Sequence, residues 1–142
     1  MMKPMMIISV VVLLAIGCDL HRAGPGVVEV EEADTEHLYA VLMYAQHCPS
    51  CSMLDPTVNA VRGDFEDEIT FLRFDMSDES TREAARQSAA EHGLKDLYRE
   101  HENRTGYLVV VGEGGEEELL RLSGRHEEKE LRAEFNRVLD SL

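Results

Sequence analysis

The sequence has 142 residues, of which 44% are hydrophobic, and this is enough for one domain with its own core plus a short leader. It contains 28 acidic and 14 basic residues, which gives a formal net charge of −14. A surface of this sign repels a phosphate backbone, so the sequence predicts no nucleic-acid partner. Three cysteines are too few for a scaffold of several disulfides.

Residues 1–17 are predicted to be a signal peptide. Lys3 supplies a positive charge, and the apolar stretch at residues 5–16 is shorter than the roughly 20 residues of a membrane span. The stretch ends in A-I-G-C, which resembles a bacterial lipobox and implies cleavage before Cys18 and attachment of lipid to that cysteine. The alternative is an ordinary secretory signal that leaves Cys18 as a spare thiol.

The lipobox predicts a protein of the bacterial cell envelope, anchored in membrane lipid through Cys18 on the periplasmic or extracytoplasmic side. Asp19 resembles the signal that retains some lipoproteins at the inner membrane, which slightly favours that membrane. Residues 18–30 would form the tether, with a short strand at residues 27–30, and residues 31–142 would form one domain.

The domain is predicted to alternate strands and helices. A buried strand at residues 38–45 leads into a helix that extends to about Arg62, with Pro49 in its first turn and Pro56 bending its interior. After a strand at residues 69–75 comes a helix that Ser80 and Glu83 would cap and Gly93 would end, and then a short helix at residues 94–101. The last elements are a hairpin of residues 107–111 and 118–122, and a helix with one apolar face (Leu131, Phe135, Val138, Leu139 and Leu142).

Cys48 and Cys51 stand where the first of these strands passes directly into a helix. This arrangement places Cys48 at a helix N-terminus, where unpaired N–H groups and the helix dipole favour a thiolate. The alternation of strands and helices predicts an α/β fold in which the first strands are parallel and the last two form an antiparallel pair.

This order of elements, with C-x-x-C at the start of the first long helix, resembles the thioredoxin family over about residues 38–142. The segment Y-A-Q-H-C-P-S-C-S-M, followed after two residues by Pro56, is similar to the family pattern W-A-x-W-C-G-P-C-K-M and its later proline. The resemblance implies a thioredoxin fold, with a central mixed β-sheet flanked by helices. It also implies a monomeric thiol–disulfide oxidoreductase that acts on protein thiols and disulfides without a bound cofactor.

On this resemblance Cys48 attacks a substrate disulfide, and Cys51, one helical turn later, resolves the mixed disulfide. At a helix N-terminus the pKa of such a thiol falls to about 3.5–7.5. His47 replaces a tryptophan of the family and is either an imidazolium that favours the Cys48 thiolate or an exposed histidine. Pro49 and Ser50 occupy the dipeptide that tunes the redox potential. A reductase is favoured over an oxidase, and outside the cytoplasm it would need a membrane electron donor.

Two positions depart from the family pattern. Leu42 stands where the family carries a buried acid, so proton transfer from Cys51 must use water or another group. Gly106, preceded by Thr105, stands where the family has a cis-proline packed against the disulfide. The segment 94–103 is predicted to be an insertion.

Several other side chains are candidates for the core or the surface. Tyr44, which could also shape the site, and Met53 are predicted to lie in the core, and Tyr107 either lies there or neighbours the disulfide. The remaining histidines are predicted to be surface residues (His21, His37, His92, His101 and His126).

Two other functions stay open at this point. One is soft-metal handling, in which His47, Cys48, Cys51 and Met53 would hold an ion such as Cu(I). The other is a binding module that keeps the fold but has no redox activity.

Overall fold

A computed structural model of the chain describes residues 36–142. The predicted signal peptide, Cys18, the tether and the strand at residues 27–30 lie outside the described residues. The described part contains four strands, β1 (Leu38–Tyr44), β2 (Ile69–Asp75), β3 (Tyr107–Val111) and β4 (Glu118–Ser123). Its α-helices are α1 (Pro49–Val61), α2 (Glu79–Glu91), α3 (Lys95–His101) and α4 (Glu128–Leu139).

The four described strands form one mixed sheet in the order β2-β1-β3-β4. β1 pairs with β2 in parallel, and α1 supplies the crossover that a parallel pair requires. β3 runs antiparallel to both β1 and β4, and a turn at residues 112–117 joins β3 to β4. The sheet therefore confirms the predicted α/β fold, with its parallel pair followed by an antiparallel hairpin.

β1 is buried on both faces of the sheet because helices cover both sides. Leu38, Ala40 and Leu42 face the cluster that contains α1 and α4, whereas Val41 and Met43 face the cluster that contains α2 and α3. This explains why β1 is a continuous apolar run rather than an alternating one. The carboxyl end of β1, which precedes the two cysteines, is thus fixed between two cores.

Phe135 of α4 is the central aromatic residue of the first core. Its ring centroid lies 5.2 Å from that of Phe65 and 5.6 Å from that of Phe71, both edge to face. Leu131 and Val138 are buried beside it, as predicted for the apolar face of α4. The same prediction is wrong for Leu142, which is 56% exposed because α4 ends at Leu139.

The sequence predicts the start of α1 correctly but not the start of α2. α1 begins at Pro49 as predicted, and the helix continues through Pro56. The predicted capping of α2 by Ser80 and Glu83 is wrong, because Asp78 is the N-cap. Its carboxylate accepts the N–H of Thr81 at 2.9 Å, and the Thr81 hydroxyl accepts the N–H of Asp78 at 3.0 Å.

The predicted insertion contains α3, which packs beside α2 on the second face of the sheet. Leu94, Leu97 and Tyr98 are buried there, and the Tyr98 ring lies 5.7 Å from that of Phe74. Gly93, at φ +72°, separates the two helices as predicted. None of the described helices is both long enough and apolar enough to span a bilayer.

We expect Phe135→Ala to lower the free energy of unfolding by about 3–5 kcal/mol, because it removes a fully buried ring and leaves a cavity between two other aromatic residues. Urea denaturation measures the loss. Leu142→Ala is the control, and its effect should stay within about 0.5 kcal/mol. Equal effects of the two substitutions would contradict the packing described for α4.

Candidate active site

The two cysteines lie where the chain leaves β1 and starts α1. The N–H of Cys48 donates to the carbonyl oxygen of Ala45 at 3.2 Å, which closes a tight turn after the strand. Cys48 is then the N-cap of α1, with an extended backbone, and its carbonyl accepts the N–H of Ser52 at 3.1 Å. Pro49 fits the first helical position because an N–H there would have no partner within the helix.

The sulfur of Cys48 takes the place of a capping side chain. Its Sγ accepts a hydrogen bond from the backbone N–H of Cys51 at 3.2 Å. An N–H donor at the positive end of a helix stabilises a thiolate more than a neutral thiol. The local structure therefore favours a charged Cys48 whenever the pair is reduced.

The two cysteines are paired as a disulfide, and their accessibilities differ. Their Cα atoms are 5.2 Å apart, within the usual range for a bridged pair. Cys51 is fully buried, whereas Cys48 is half-buried. Only Cys48 can therefore meet an incoming disulfide without a change of the fold.

The carbonyl oxygen of Met43 lies behind Cys51. It is 3.6 Å from the Cys51 sulfur, and it also accepts the N–H of Gly106 at 2.8 Å. In the reduced state the Cys51 thiol can donate to this carbonyl. Leu42 is only 2% exposed and belongs to the apolar core, so the position of the family's buried acid contributes no proton acceptor here.

Gly106 lies against the disulfide from the side of β3. Its φ is +97°, and a Cβ placed there would be 3.2 Å from the Cys48 sulfur and 3.1 Å from the Ser50 Cβ. Both the conformation and the close approach favour glycine. The described part of the chain contains no cis peptide bond, so a glycine backbone occupies the place predicted from the family's cis-proline.

A groove of about 260 Å³ opens beside Cys48. The predicted site residues His47 and Thr105 line it, and His47 is exposed. The rest of its wall consists of Ala45, Gln46, Met76 and Ser77. A substrate in this groove would therefore contact both apolar and polar side chains next to the half-buried sulfur.

A hydrogen-bonded turn after β2 supports the loop before Cys48. The Gln46 N–H donates to the Ser77 hydroxyl at 2.8 Å, and that hydroxyl donates to the Asp75 carboxylate. The Ser77 N–H donates to the same carboxylate at 2.9 Å. This network is absent from the predictions made above from the sequence, although an Asp-x-Ser triplet at a strand end is a recognisable turn signal.

His101 is the largest error among the predicted surface residues. It is 1% exposed, and its Nδ1 lies 2.6 Å from the Tyr107 hydroxyl oxygen. Burial lowers the pKa of His101, although the nearby Glu100 carboxylate opposes this, and burial raises the pKa of Tyr107. Both side chains are therefore neutral near pH 7, and one hydrogen bond joins the imidazole Nδ1 and the phenol hydroxyl.

The spacing within α3 could have revealed this burial. His101 follows the buried Leu94 by seven residues and Leu97 by four, so it continues their helix face. Of the other predicted surface histidines, His37 is exposed, whereas His92 and His126 are half-buried. His21 lies outside the described residues.

The structure separates the remaining candidates. Tyr107 is 8% exposed and belongs to the core, which supports the first of its two interpretations. Tyr44 is half-buried against the α1 and α4 core, with the Arg73 guanidinium 4.7 Å above its ring, and it does not line the groove. The core prediction for Met53 is wrong, because this side chain is 36% exposed and lies beside Arg125.

The soft-metal alternative receives no support from the arrangement of side chains. Among residues 36–142, no three or more His, Cys, Asp or Glu side chains are grouped so that they could hold a metal ion.

The chain is similar to thioredoxins and thioredoxin-like proteins. The thioredoxin family model matches residues 28–90. A thioredoxin-like protein whose solution structure was determined in the oxidized form is 21% identical, with a TM-score of 0.50, and the match covers 75% of this chain and 80% of that one. A thioredoxin from Fasciola hepatica is 25% identical, with a TM-score of 0.44, over 72% of this chain and 81% of that one. No curated protein matches the sequence.

We expect Gly106→Ala to lower the free energy of unfolding of the oxidised protein more than Gly124→Ala does. Gly124 has a φ of +79° and open space around it, so alanine there adds only the conformational cost of roughly 1–2 kcal/mol. At Gly106 the new methyl group also meets Cys48 and Ser50, which should add about 1 kcal/mol or more. Urea denaturation compares the two variants, and equal losses would contradict the close contact with the disulfide.

Proposed function

We propose that this chain reduces disulfides of other proteins outside the cytoplasm. It is a thioredoxin-like protein, and its thioredoxin fold and Cys-x-x-Cys disulfide mark a thiol–disulfide oxidoreductase. The protein is tethered to a membrane of the bacterial cell envelope through lipid on Cys18. The observation that best supports this chemistry is the difference in exposure between the two cysteines. Cys48 caps the N-terminus of α1 at the edge of a groove, and Cys51 is fully buried behind it.

The first step is attack by the Cys48 thiolate on one sulfur of a substrate disulfide. The N–H of Cys51 and the N-terminus of α1 hold the negative charge on Cys48 before the attack. A new bond forms between Cys48 and that sulfur as the substrate disulfide breaks. The other substrate sulfur leaves as a thiolate and takes a proton from water.

The second step uses Cys51. Its thiol loses a proton to water or to another group, because Leu42 provides no carboxylate. The Cys51 thiolate attacks the Cys48 sulfur, the Cys48–Cys51 disulfide forms as the bond between Cys48 and the substrate breaks, and the second substrate sulfur leaves as a thiolate that takes a proton from water. Two electrons have then passed to the substrate, and a dithiol donor at the membrane must return two electrons to the pair before the next turnover.

We expect Cys51→Ser to trap the first intermediate. Without the resolving thiol, the mixed disulfide between Cys48 and a substrate should accumulate and appear on a non-reducing gel as bands that dithiothreitol removes. Cys48→Ser is the matched control and should form no such bands. Equal trapping by the two variants would contradict the assignment of Cys48 as the attacking thiol.

The direction of electron flow can be read from the reduction potential of the pair. For a reductase we expect a value closer to about −270 mV, typical of thioredoxin, than to about −120 mV, typical of a strong oxidant. Equilibration of the full-length protein with dithiothreitol or glutathione buffers gives this value. A potential near the oxidant end would overturn the reductase proposal and would make His47 the first residue to replace.

The membrane tether has a separate test. When the full-length protein is expressed in a bacterium, it should sediment with membranes, and Cys18→Ala should move it to the soluble fraction or leave its leader uncleaved. Cys48→Ser should leave the distribution unchanged. A Cys18→Ala protein that stays with the membranes after normal cleavage of the leader would contradict a lipid anchor on Cys18.

A further inference from the structure

The loop at residues 102–106 forms one wall of the site and has no proline to stiffen it. It runs from the end of α3 to the start of β3. Thr105 lines the groove beside Cys48, and the backbone of Gly106 lies against the Cys48 sulfur. Any movement of this loop would therefore change the surface that a substrate meets next to the reactive sulfur.

Hydrogen bonds hold the two ends of this loop. At its start the N–H of Arg104 donates to the carbonyl oxygen of His101 at 2.8 Å. At its end the N–H of Gly106 donates to the carbonyl oxygen of Met43 at 2.8 Å. The residues that flank the loop, His101 and Tyr107, are joined directly through their side chains at 2.6 Å. This last bond ties the loop into a closed ring.

The bond between His101 and Tyr107 is well placed to hold the loop. Both side chains are more than nine-tenths buried, so water does not compete for either partner. The Arg121 guanidinium covers the Tyr107 ring at 5.0 Å, and Glu118 holds Arg121 through a hydrogen bond of 2.8 Å. The ring of Tyr107 is thus fixed from the side of β4 and its hydroxyl from the side of α3.

We propose that His101 and Tyr107 are positioning residues, whose side-chain hydrogen bond holds Thr105 and Gly106 in place beside Cys48 for binding of the substrate. This inference rests on the proposed exchange with protein disulfides. It assigns to the α3 segment a function at the site, because α3 supplies the imidazole that anchors the loop. A small reagent that reacts with Cys48 directly does not depend on this wall of the groove.

The test measures reduction of insulin by the full-length protein, with dithiothreitol as electron donor. Tyr107→Phe removes only the hydroxyl and keeps the ring beneath Arg121. We expect it to raise KM for insulin about three- to tenfold, the range that one buried hydrogen bond contributes, and to change kcat less than about twofold. Tyr98→Phe is the matched control in the same core, because its hydroxyl bonds elsewhere, to the carbonyl oxygen of Arg82 at 3.5 Å, and KM should stay unchanged.

The double variant His101→Leu with Tyr107→Phe separates positioning from core stability. Tyr107→Phe alone leaves the imidazole buried without its partner, whereas the double variant removes both polar groups and should regain part of the lost stability. If the bond positions the loop, KM stays raised in the double variant. An unchanged KM in Tyr107→Phe, or a KM that recovers together with stability in the double variant, would overturn the proposal.

Hydrogen exchange of the Gly106 amide provides a readout that does not need activity. Tyr107→Phe should speed this exchange about three- to tenfold relative to the unaltered protein, and Tyr98→Phe should not. If the unaltered protein does not reduce insulin, the proposed function fails while the exchange result still decides whether the bond holds the loop. Equal exchange rates in the two variants would overturn the positioning role.

Discussion

The active site depends on the first turn of α1, which follows directly after β1, a strand that is packed on both faces. β1 is central in the described sheet and buried on both faces, so its carboxyl end is fixed by two cores at once. The turn from Ala45 to Cys48 places the cysteine as the N-cap of α1. The N–H of Cys51 then reaches the Cys48 sulfur because of helix geometry alone. The packing of the domain thereby places the Cys48 sulfur where a thiolate is stabilised.

The opposite side of the site is built by backbone rather than by a rigid side chain. The Met43 carbonyl receives the N–H of Gly106 and also faces the sulfur of Cys51, so β1 connects both halves of the site. Glycine at position 106 allows a close approach to Cys48 but does not restrict the loop by itself. The buried bond between His101 and Tyr107 adds the restriction that the loop sequence lacks.

The sequence predicts local features better than long-range contacts. The strand at residues 69–75 and the start of α1 follow from apolar runs, proline and helix-terminus chemistry, which act over a few residues. The spacing of His101 from Leu94 and Leu97 indicates its burial, but its hydrogen bond to Tyr107 depends on where α3 docks. The exposure of Met53 likewise depends on how α1 packs in the domain, which its apolar side chain does not indicate. The predicted capping of α2 is wrong because Ser80 and Glu83 also have the spacing of a capping box. The N-cap is instead Asp78, which lies just after the end of β2. In the site, the resemblance to the family placed the two cysteines and Gly106. It did not indicate that Ser77 supports the loop before Cys48.

The fold makes Cys48 the reactive thiol and keeps Cys51 protected. The most direct measurement is the pH dependence of iodoacetamide alkylation in the reduced protein, with the modified residue mapped by mass spectrometry. We expect Cys48 to be modified first and to reach half its maximal rate at a pH below about 8.5, the pKa of a free thiol. Cys51 should stay unmodified while the protein is folded. Preferential modification of Cys51, or a Cys48 that reacts only as a free thiol does, would contradict these roles of the two cysteines.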